Sequence, residues 1–364
     1  MVSKQKGVAM RCFLALLVLV VSAFGYGYWD IFGLGGRVQS LSPVSAGMCG
    51  VFVPDTLSAY SVFTNPSALA GSNRLVVSAS GWETGWNEVI TYHYTCTEPH
   101  RDNLGGMAPC GEFAVAFPLR NGFSAGAGIA VVSQYDMKAT MQVYQEVGYL
   151  NRELWKTMVT DATGTLSEAL VSIAGSVGPV NIGVSPGVRF GSGESTTYSN
   201  RVYGPDSTIV EPWDHSEFAL RAGASTSLGY TVLYSSFVSG DSRYMSSANL
   251  GVSASFPFLK SGYLGAEIGL FDGNKLKVTA FTRLPGIVEG SNIYMGVDGY
   301  RPEGALKTGL GLSYGGDYRF GNYRFSAAYQ YQGRYRDASG ISTDYINHVF
   351  DKGETVMIGV ERVF

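Results

Sequence analysis

The chain ends in the stretch Val356-Met357-Ile358-Gly359-Val360-Glu361-Arg362-Val363-Phe364, in which apolar side chains recur at every second residue. In a β-strand such residues share one face, because successive side chains point to opposite sides. That face carries Val356, Ile358, Val360 and Phe364. Arg362 interrupts it near the end, where a long side chain reaches the lipid head groups. An alternating strand that stops at phenylalanine is typical of bacterial outer-membrane barrels, although a soluble β-protein could also end this way.

The composition favours the same kind of fold. Hydrophobic residues make up 45% of the 364 residues and charged residues only 15%, whereas soluble domains carry roughly 25% charged residues. Glycine (48), tyrosine (23) and phenylalanine (19) are abundant. After the first 25 residues, however, no apolar run is long enough for a membrane-spanning helix. Much apolar surface without a long apolar run is what alternating membrane strands produce.

Residues 1–25 have the pattern of a secretory signal peptide. Lys4, Lys6 and Arg11 make the start positive, and the apolar run at 12–23 is too short to span a bilayer comfortably. We therefore predict export, cleavage near residue 25, and insertion into the lipid of the bacterial outer membrane. Cleavage would leave 23 basic against 29 acidic residues, a balance that gives no reason to expect a nucleic-acid partner.

Alternating segments separated by turn residues recur from about residue 87 onward. In the clearest, 321–335, Tyr323 and Phe325 share one face while Arg324 and Ser326 share the other, as a wall between lipid and a wet lumen requires. Fourteen strands are predicted: 87–97, 110–118, 122–133, 165–177, 180–190, 216–228, 230–239, 246–257, 261–270, 274–284, 291–300, 304–314, 320–333 and 353–364. The predicted fold class is all-β, a transmembrane antiparallel β-barrel of about 14 strands.

The connections sort by length in the way such a barrel requires. An even number of strands returns the chain to the side on which it started, with short turns on that side and long loops on the other. The long connections are 98–109, 134–164, 191–215 and 334–352. Residues 74–80 also alternate, and either continue into the first wall strand or lie in the lumen. If they and 141–149 both crossed the membrane, the barrel would have sixteen strands.

Residues 26–73 lack this alternation and are rich in glycine, serine and proline. They contain Gly47-Met48-Cys49-Gly50 and Asn65-Pro66-Ser67-Ala68-Leu69. Here the chain resembles the outer-membrane families that include the FadL long-chain fatty-acid transporters and the PorV-like barrels, with their Gly-Met-Gly-Gly-Ala-like stretch and Asn-Pro-Ala-Gly-Leu-like box. It departs from these patterns at Cys49 and Ser67. The resemblance implies that 26–73 fold into the lumen as an N-terminal hatch and that 74–364 form the barrel.

Physical reasoning agrees with a hatch. About eight strands fill their own interior and 16–18 leave an aqueous channel, so fourteen leave room for a plug. Pro66 fixes its own φ and restricts Asn65 to extended conformations, and an asparagine side chain can bond its own backbone in a turn. The alternative is an ordinary turn before a strand. The residues predicted to form the hatch motif are Gly47, Met48, Gly50, Asn65 and Pro66.

Charged residues on the polar faces of the strands are predicted to line the lumen. The candidates are Arg189, Arg221, Lys275, Lys277, Arg324 and Glu361, together with Lys307, Arg334, Glu217 and Glu267. Such a lining could receive the carboxylate head group of a solute. The structural alternative is that opposite charges cross-link the wall to the hatch.

Cys96 and Cys110 flank one polar loop, and we predict a disulfide between them in an oxidising compartment. No pair of histidines has metal-ligand spacing. Asp214 and His215 are neighbours and would point to opposite sides of a strand, and no Gly-x-Ser-x-Gly elbow is present. We therefore expect no metal, no cofactor and no enzymatic activity.

The function predicted first is passage of hydrophobic or amphipathic small molecules, fatty-acid-like in character, across the outer membrane. A solute would be captured at the outer loops and released past a movable hatch. The alternative, implied by the PorV resemblance, is a barrel that binds or hands over secreted proteins. A plain structural or diffusion barrel is a third possibility.

Overall fold

The structure is a computed structural model. It describes residues 36–37, 41–54, 58–92, 100–104, 108–146, 152–202, 204–241, 244, 246–256, 262–271, 275–301, 309–337 and 346–364. The predicted signal peptide and the first ten residues of the predicted hatch lie outside this range. Three short helical turns precede the strands: Pro43–Ala46, Ala59–Val62 and Pro66–Gly71. Among the described residues, no helix has the length and apolar character needed to span a membrane.

Fourteen strands form a closed antiparallel barrel. They are β1 (Val76–Tyr92), β2 (Ala108–Pro118), β3 (Phe123–Glu146), β4 (Arg152–Val177), β5 (Val180–Arg201), β6 (Ser207–Leu228), β7 (Thr231–Val238), β8 (Ser247–Ser255), β9 (Tyr263–Phe271), β10 (Lys275–Pro285), β11 (Ser291–Arg301), β12 (Gly309–Phe320), β13 (Tyr323–Asp337) and β14 (Ile346–Val363). Each strand pairs with the next, and β14 closes the wall on β1. The predicted count of fourteen is therefore confirmed.

Two short strands add to the edges of the paired regions, and the second of them continues the position of β2 along β1. Gly36–Arg37 pairs with β3, and His100–Leu104 pairs with β1. Both pairings are antiparallel and cover few residues, so they extend the sheet locally without adding a strand to the closed barrel.

The first wall strand differs from the predicted range 87–97. It begins at Val76 and runs to Tyr92, so residues 76–80 continue into the wall strand, one of the two arrangements that the sequence left open. Residues 81–86 alternate poorly, but their backbone is matched throughout with β14. Backbone pairing thus carries the strand across a stretch whose side chains do not show it. Residues 141–146 likewise lengthen β3 instead of adding a strand.

All four predicted long loops are largely strand. In 98–109, His100–Leu104 and the start of β2 are strand. Much of 134–164 belongs to β3 and β4, only 202–206 separate β5 from β6, and β13 and β14 extend well into 334–352. Beyond the lipid both faces of a hairpin meet water, so its side chains need not alternate. The backbone still requires hydrogen-bond partners, and the neighbouring strand supplies them.

Side chains alternate between the two sides of the wall as predicted for the last strands. On the inner side Arg324, Met357 and Glu361 are buried, whereas Phe325 and Ile358 are exposed on the outer side. Exposed aromatic and aliphatic side chains are also found on the other strands of the barrel. The outer face is therefore apolar, and the polar face looks inward, as in a barrel that lies in lipid.

Residues 41–54 and 58–73, which we call the lumen segment, lie inside the barrel. Ser67 hydrogen-bonds to Ser225 on β6, while the backbone N–H of Cys49 donates to Ser313 on β12. Its apolar side chains pack with inner wall residues in one core cluster that includes Leu41, Val62, Phe63, Leu69, Leu166, Leu170 and Met357. Contacts with well-separated strands place the segment across the lumen.

Candidate functional site

The lumen segment is built from short turns that its own sequence specifies. Asn65 is extended, with φ −136°, and caps the helical turn that Pro66 begins. Its Oδ1 accepts hydrogen bonds from the N–H and the hydroxyl of Ser67, at 3.2 and 2.7 Å. Proline is suited to the first helical position because it has no N–H to satisfy there. The Asn-Pro pair therefore determines where the helical turn Pro66–Gly71 begins.

Asn65 also joins the lumen segment to itself and to the wall. Its Nδ2 donates to the carbonyl of Phe52 at 3.1 Å and to that of Ser235 on β7 at 3.3 Å. On β6, a β-carbon at Gly223 would lie only 2.0 Å from Oδ1 of Asn65. The wall thus needs a glycine at this point for the asparagine to approach.

The other predicted motif, Gly47-Met48-Cys49-Gly50, forms a tight turn. Cys49 and Gly50 both have positive φ, 61° and 75°, a conformation that favours glycine and costs other residues energy. Met48 is fully buried, and its backbone lies against Gly296 of β11, where a β-carbon would come within 2.6 Å. Gly50 therefore suits the local backbone and Gly296 suits the wall, whereas Cys49 adopts a conformation that glycine would adopt at lower cost.

Cys49 is a free, buried thiol in this turn. Its N–H donates to Oγ of Ser313 at 2.7 Å, and the Ser313 hydroxyl lies 3.2 Å from its sulfur. Burial away from water raises the pKa of the Cys49 thiol above its usual range, and the nearby carboxylate of Asp298 adds to the rise. The thiol is therefore protonated and unreactive at neutral pH.

The first of three charge clusters centres on Glu168 of β4. Arg221 donates to both of its oxygens, at 2.8 and 2.9 Å, and Arg189 reaches it at 3.3 Å. Arg221 also donates to the carbonyl of Phe63 in the lumen segment. Arg189 makes a second ion pair with Asp241. The two arginines are balanced by the two carboxylates, Glu168 and Asp241, and Arg221 ties the wall to the segment.

Two further buried side chains, His215 and Tyr244, contact this cluster. His215 has its Nε2 3.4 Å from Oδ1 of Asp241, and the ring of Tyr244 lies 4.0 Å beneath the guanidinium carbon of Arg189. Tyr244 and Asp241 belong to the connection between β7 and β8, and a β-bridge joins them. This connection is therefore fastened to the inner wall by Arg189.

The second cluster lies on β12–β14. Arg324 donates to Asp317 at 2.9 and 3.0 Å and to Glu361 at 3.0 Å. Glu361 also accepts hydrogen bonds from Ser58 of the lumen segment, at 2.5 Å, and from Ser78 of β1, at 2.9 Å. One wall carboxylate thus joins the segment, the first strand and the arginine of the neighbouring strand.

The third cluster contains Lys277 of β10. Its ammonium group lies 3.1 Å from Asp298 and donates to the carbonyl of Cys49. On the neighbouring strand, Glu267 accepts a hydrogen bond from the N–H of Phe52 at 2.8 Å. Each of the three clusters therefore ends on a backbone or hydroxyl group of the lumen segment.

The sequence proposed six principal charges for the lumen, and the structure describes the side chains of five of them. Four are cations, each paired with a carboxylate: Arg189, Arg221, Lys277 and Arg324. The fifth, Glu361, is the carboxylate partner of Arg324. The described contacts of the four cations include carboxylates of the wall and groups of the lumen segment. Lys275 and Arg334 lie in strands, but their side chains fall outside the described residues, as does all of Lys307. Glu217 is exposed. The predicted Cys96–Cys110 disulfide also falls outside the description and stays a prediction.

Sequence reasoning missed the carboxylates that balance these charges, Glu168, Asp241, Asp298 and Asp317. Strand parity could have found Glu168, since it shares the inner face with Leu166 and Leu170. The partners of a buried charge depend on register between strands, which parity alone does not give. Within the part of the chain that the structure describes, no group of three or more histidine, cysteine or carboxylate side chains is placed to hold a metal ion.

The fold is that of the FadL type of barrel, fourteen antiparallel strands around an N-terminal segment. A FadL homologue from Pseudomonas aeruginosa is similar over 90% of this chain and 99% of its own, with 13% identity and a TM-score of 0.59. The Pseudomonas putida toluene transporter TodX is similar over the same shares, with 12% identity and a TM-score of 0.59. The Ralstonia pickettii toluene transporter TbuX is similar over 90% of this chain and 99% of its own, with 12% identity and a TM-score of 0.53.

At such low identities the similarity establishes the fold and not the solute. No protein-family model and no curated protein matches the sequence. The resemblance inferred from the Gly-Met and Asn-Pro motifs and the structural similarity nevertheless point to the same kind of barrel.

Proposed function

We propose that this protein resides in the bacterial outer membrane and passes hydrophobic or amphipathic small molecules, including fatty-acid-like ones, across it. The apolar outer face suits lipid, and the fold is shared with proteins described as toluene transporters and as a monoaromatic hydrocarbon channel. Residues 1–25 would act as the signal peptide that directs export. The barrel would perform no chemistry on the solute.

The lumen segment would act as the hatch. The observation that carries this proposal is its set of hydrogen bonds to strands around the barrel: to β6 through Ser67, to β12 through Cys49, and to β14 through Ser58. A segment fastened across the lumen obstructs it at that level. Passage of a solute would therefore require part of the segment to shift, while the wall stays closed.

A reversible cross-link tests this mechanism. The hydroxyls of Ser67 in the segment and Ser225 in β6 are 3.0 Å apart, a spacing suited to a disulfide after both are replaced by cysteine. The double variant Ser67→Cys/Ser225→Cys would be made with Cys49, Cys96 and Cys110 changed to serine. In proteoliposomes, oxidation should reduce toluene uptake at least tenfold, and reduction with dithiothreitol should restore it.

The matched control places the same cross-link within the wall. Ser172 of β4 and Ser185 of β5 have hydroxyls 2.5 Å apart, so Ser172→Cys/Ser185→Cys joins two strands that are already paired. Its uptake should be unaffected by oxidation. Equal uptake by the oxidised and reduced forms of the segment cross-link would contradict a moving hatch at β6. No uptake by any form would contradict the transport function itself.

A second candidate function is the binding or handing over of secreted proteins. Four neighbouring strands, β3 to β6, have 24, 26, 22 and 22 residues, whereas about 9–11 residues suffice to cross a bilayer. Their excess length would project as a sheet beyond the membrane and offer a surface to a protein. Co-purification of a specific exported protein that is lost after shortening the β5–β6 hairpin would favour this candidate.

A further inference from the structure

The ladder between β1 and β2 is interrupted on the inner wall. Ser80 pairs with Glu112, but the next pair joins Trp82 to Ala108, so β2 carries extra residues at this point. The indole ring of Trp82 lies against Gly111 in the interruption, where a β-carbon would come within 2.3 Å of the ring. Bulges of this kind redirect side chains and often occur next to functional sites.

Three buried polar side chains lie close together here. The carboxylate oxygens of Glu112, the hydroxyl of Ser80 and Nε1 of Trp82 make no well-formed hydrogen bond to the residues that the structure describes, although the Ser80 hydroxyl lies near both Glu112 and the hydroxyl of Tyr60. Glu112 is only 3% exposed and Trp82 only 4%. Native proteins rarely leave one such group unsatisfied, because each costs free energy. Three of them together leave this position open to a further polar group.

The contrast with the other inner carboxylates supports this interpretation. Glu168 and Glu361 are equally buried, but each is bonded to arginine side chains. The hydroxyl of Tyr60, which approaches from the lumen segment, is already used, since it donates to the carbonyl of Ala79 at 2.7 Å. The buried glutamates Glu168 and Glu361 are thus fully bonded, whereas Glu112 is not, and its unpartnered oxygens lie beside two further unpartnered groups.

The surroundings limit the chemistry of the occupant. Trp82 belongs to the same core cluster as Ala114, Val132 and Leu166, so apolar surface adjoins the three polar groups. The indole N–H donates only, the carboxylate accepts, and the serine hydroxyl can do either. A hydroxyl group fits this set, because its hydrogen can be donated to Glu112 while its oxygen accepts from Trp82.

We propose that Glu112, Ser80 and Trp82 form a binding site for the hydroxyl group of an amphipathic molecule of the phenol or alcohol class, whose apolar part lies among the neighbouring aliphatic side chains. The site lies at the level of the wall where Tyr60 of the lumen segment reaches β1. This inference rests on the proposed transport function and names the class of solute that the barrel would prefer.

The test is equilibrium binding of para-cresol and of toluene to the purified full-length protein in lipid nanodiscs. The two probes have similar apolar bodies and differ in the hydroxyl group. The wild type should bind para-cresol about tenfold more tightly than toluene, since two hydrogen bonds to otherwise unsatisfied groups are gained. The variant Trp82→Phe, which keeps an aromatic ring and removes the donor, should lose most of this preference and keep its affinity for toluene.

Two further variants separate a binding role from a structural one. Glu112→Gln keeps an acceptor and should retain part of the preference, whereas Ser80→Ala should lower it less than Trp82→Phe does. Trp213→Phe, on β6, is the matched control and should leave the ratio unchanged. These comparisons use ratios of affinities, so a loss of folded protein does not imitate the expected result.

Equal affinities of the wild type for the two probes would overturn the proposal and indicate that the site holds a structural water molecule. A fall in both affinities by the same factor in Trp82→Phe would also overturn it, because the indole would then act only by packing. Toluene uptake in proteoliposomes without any preference for para-cresol would leave the transport function standing while this inference fails.

Discussion

The two faces of strand β6 have opposite chemistry within three residues. Phe218 is 65% exposed on the outer face, and Arg221 is 2% exposed on the inner face, where it bonds to Glu168 and to the lumen segment. A soluble protein would reverse this arrangement. The contrast shows that the solvent of the outer face is lipid, and that on β6 the inner face belongs to a polar core in which Arg221 and Glu168 satisfy each other.

The largest effect is expected from removing an inner charge. The change Arg221→Leu leaves Glu168 with only Arg189 and removes the donor to the Phe63 carbonyl, so the free energy of unfolding should fall by about 3 kcal/mol. Phe218→Leu on the same strand should change it by less than about 0.5 kcal/mol. Urea unfolding in phospholipid vesicles measures both. Equal effects would show that the two faces do not differ in the way described.

A charge placed on the outer face tests the other half of the contrast. Leu250 lies in the middle of β8 and is 68% exposed, while its neighbour Asn249 is buried inside. Leu250→Arg should lower the free energy of unfolding in vesicles by roughly 2–4 kcal/mol, because the guanidinium would enter hydrocarbon. Leu250→Val is the control. A loss no larger than that of the control would mean that this face does not lie in lipid.

A smaller effect is expected where the wall and the lumen segment touch. Gly223→Ala would place a β-carbon against Oδ1 of Asn65 and should cost about 1–3 kcal/mol of unfolding free energy. The double variant Asn65→Ala/Gly223→Ala should cost less than the two single changes added together, because the clash is gone. Strictly additive losses would argue against direct contact between these residues.

The smallest effect is expected at the end of the last strand. The guanidinium of Arg362 lies 4.2 Å from the ring of Phe364 and 5.3 Å from that of Tyr323. Replacing Arg362 with alanine should lower the free energy of unfolding by about 0.5–1 kcal/mol. Arg120→Ala, in the turn between β2 and β3, provides the comparison. A change below that of Arg120→Ala would show that the ring contacts contribute nothing.

The sequence predicted the barrel and its strand number because alternation follows directly from the two solvents of a membrane wall. It failed where that rule does not act: residues 81–86 and the outer parts of β3 to β6 are strands through backbone pairing alone. The four long loops were predicted from the loss of alternation. Pairing between strands is a tertiary property, and only the structure shows it.

The sequence predicted which charged residues face the lumen, but it did not predict which residues they pair with. Arg189, Arg221, Lys277 and Arg324 were placed inward by parity, but their ion pairs with Glu168, Asp298 and Asp317 depend on register across strands. Glu112 was overlooked, although it is the one charged residue in the strand 110–118 and shares its inner face with Ala114. A lone charge on an apolar strand was the available signal.

The pairing of β14 with β1 joins the two strands that are farthest apart in the chain. Bringing such distant segments together costs more loop entropy than forming any hairpin of the wall, so this pair needs additional attraction. Ser58 and Ser78 both donate to Glu361 beside it. The lumen segment therefore stabilises the pairing of the first and last strands. Closure of the barrel is for this reason energetically coupled to docking of the lumen segment inside it.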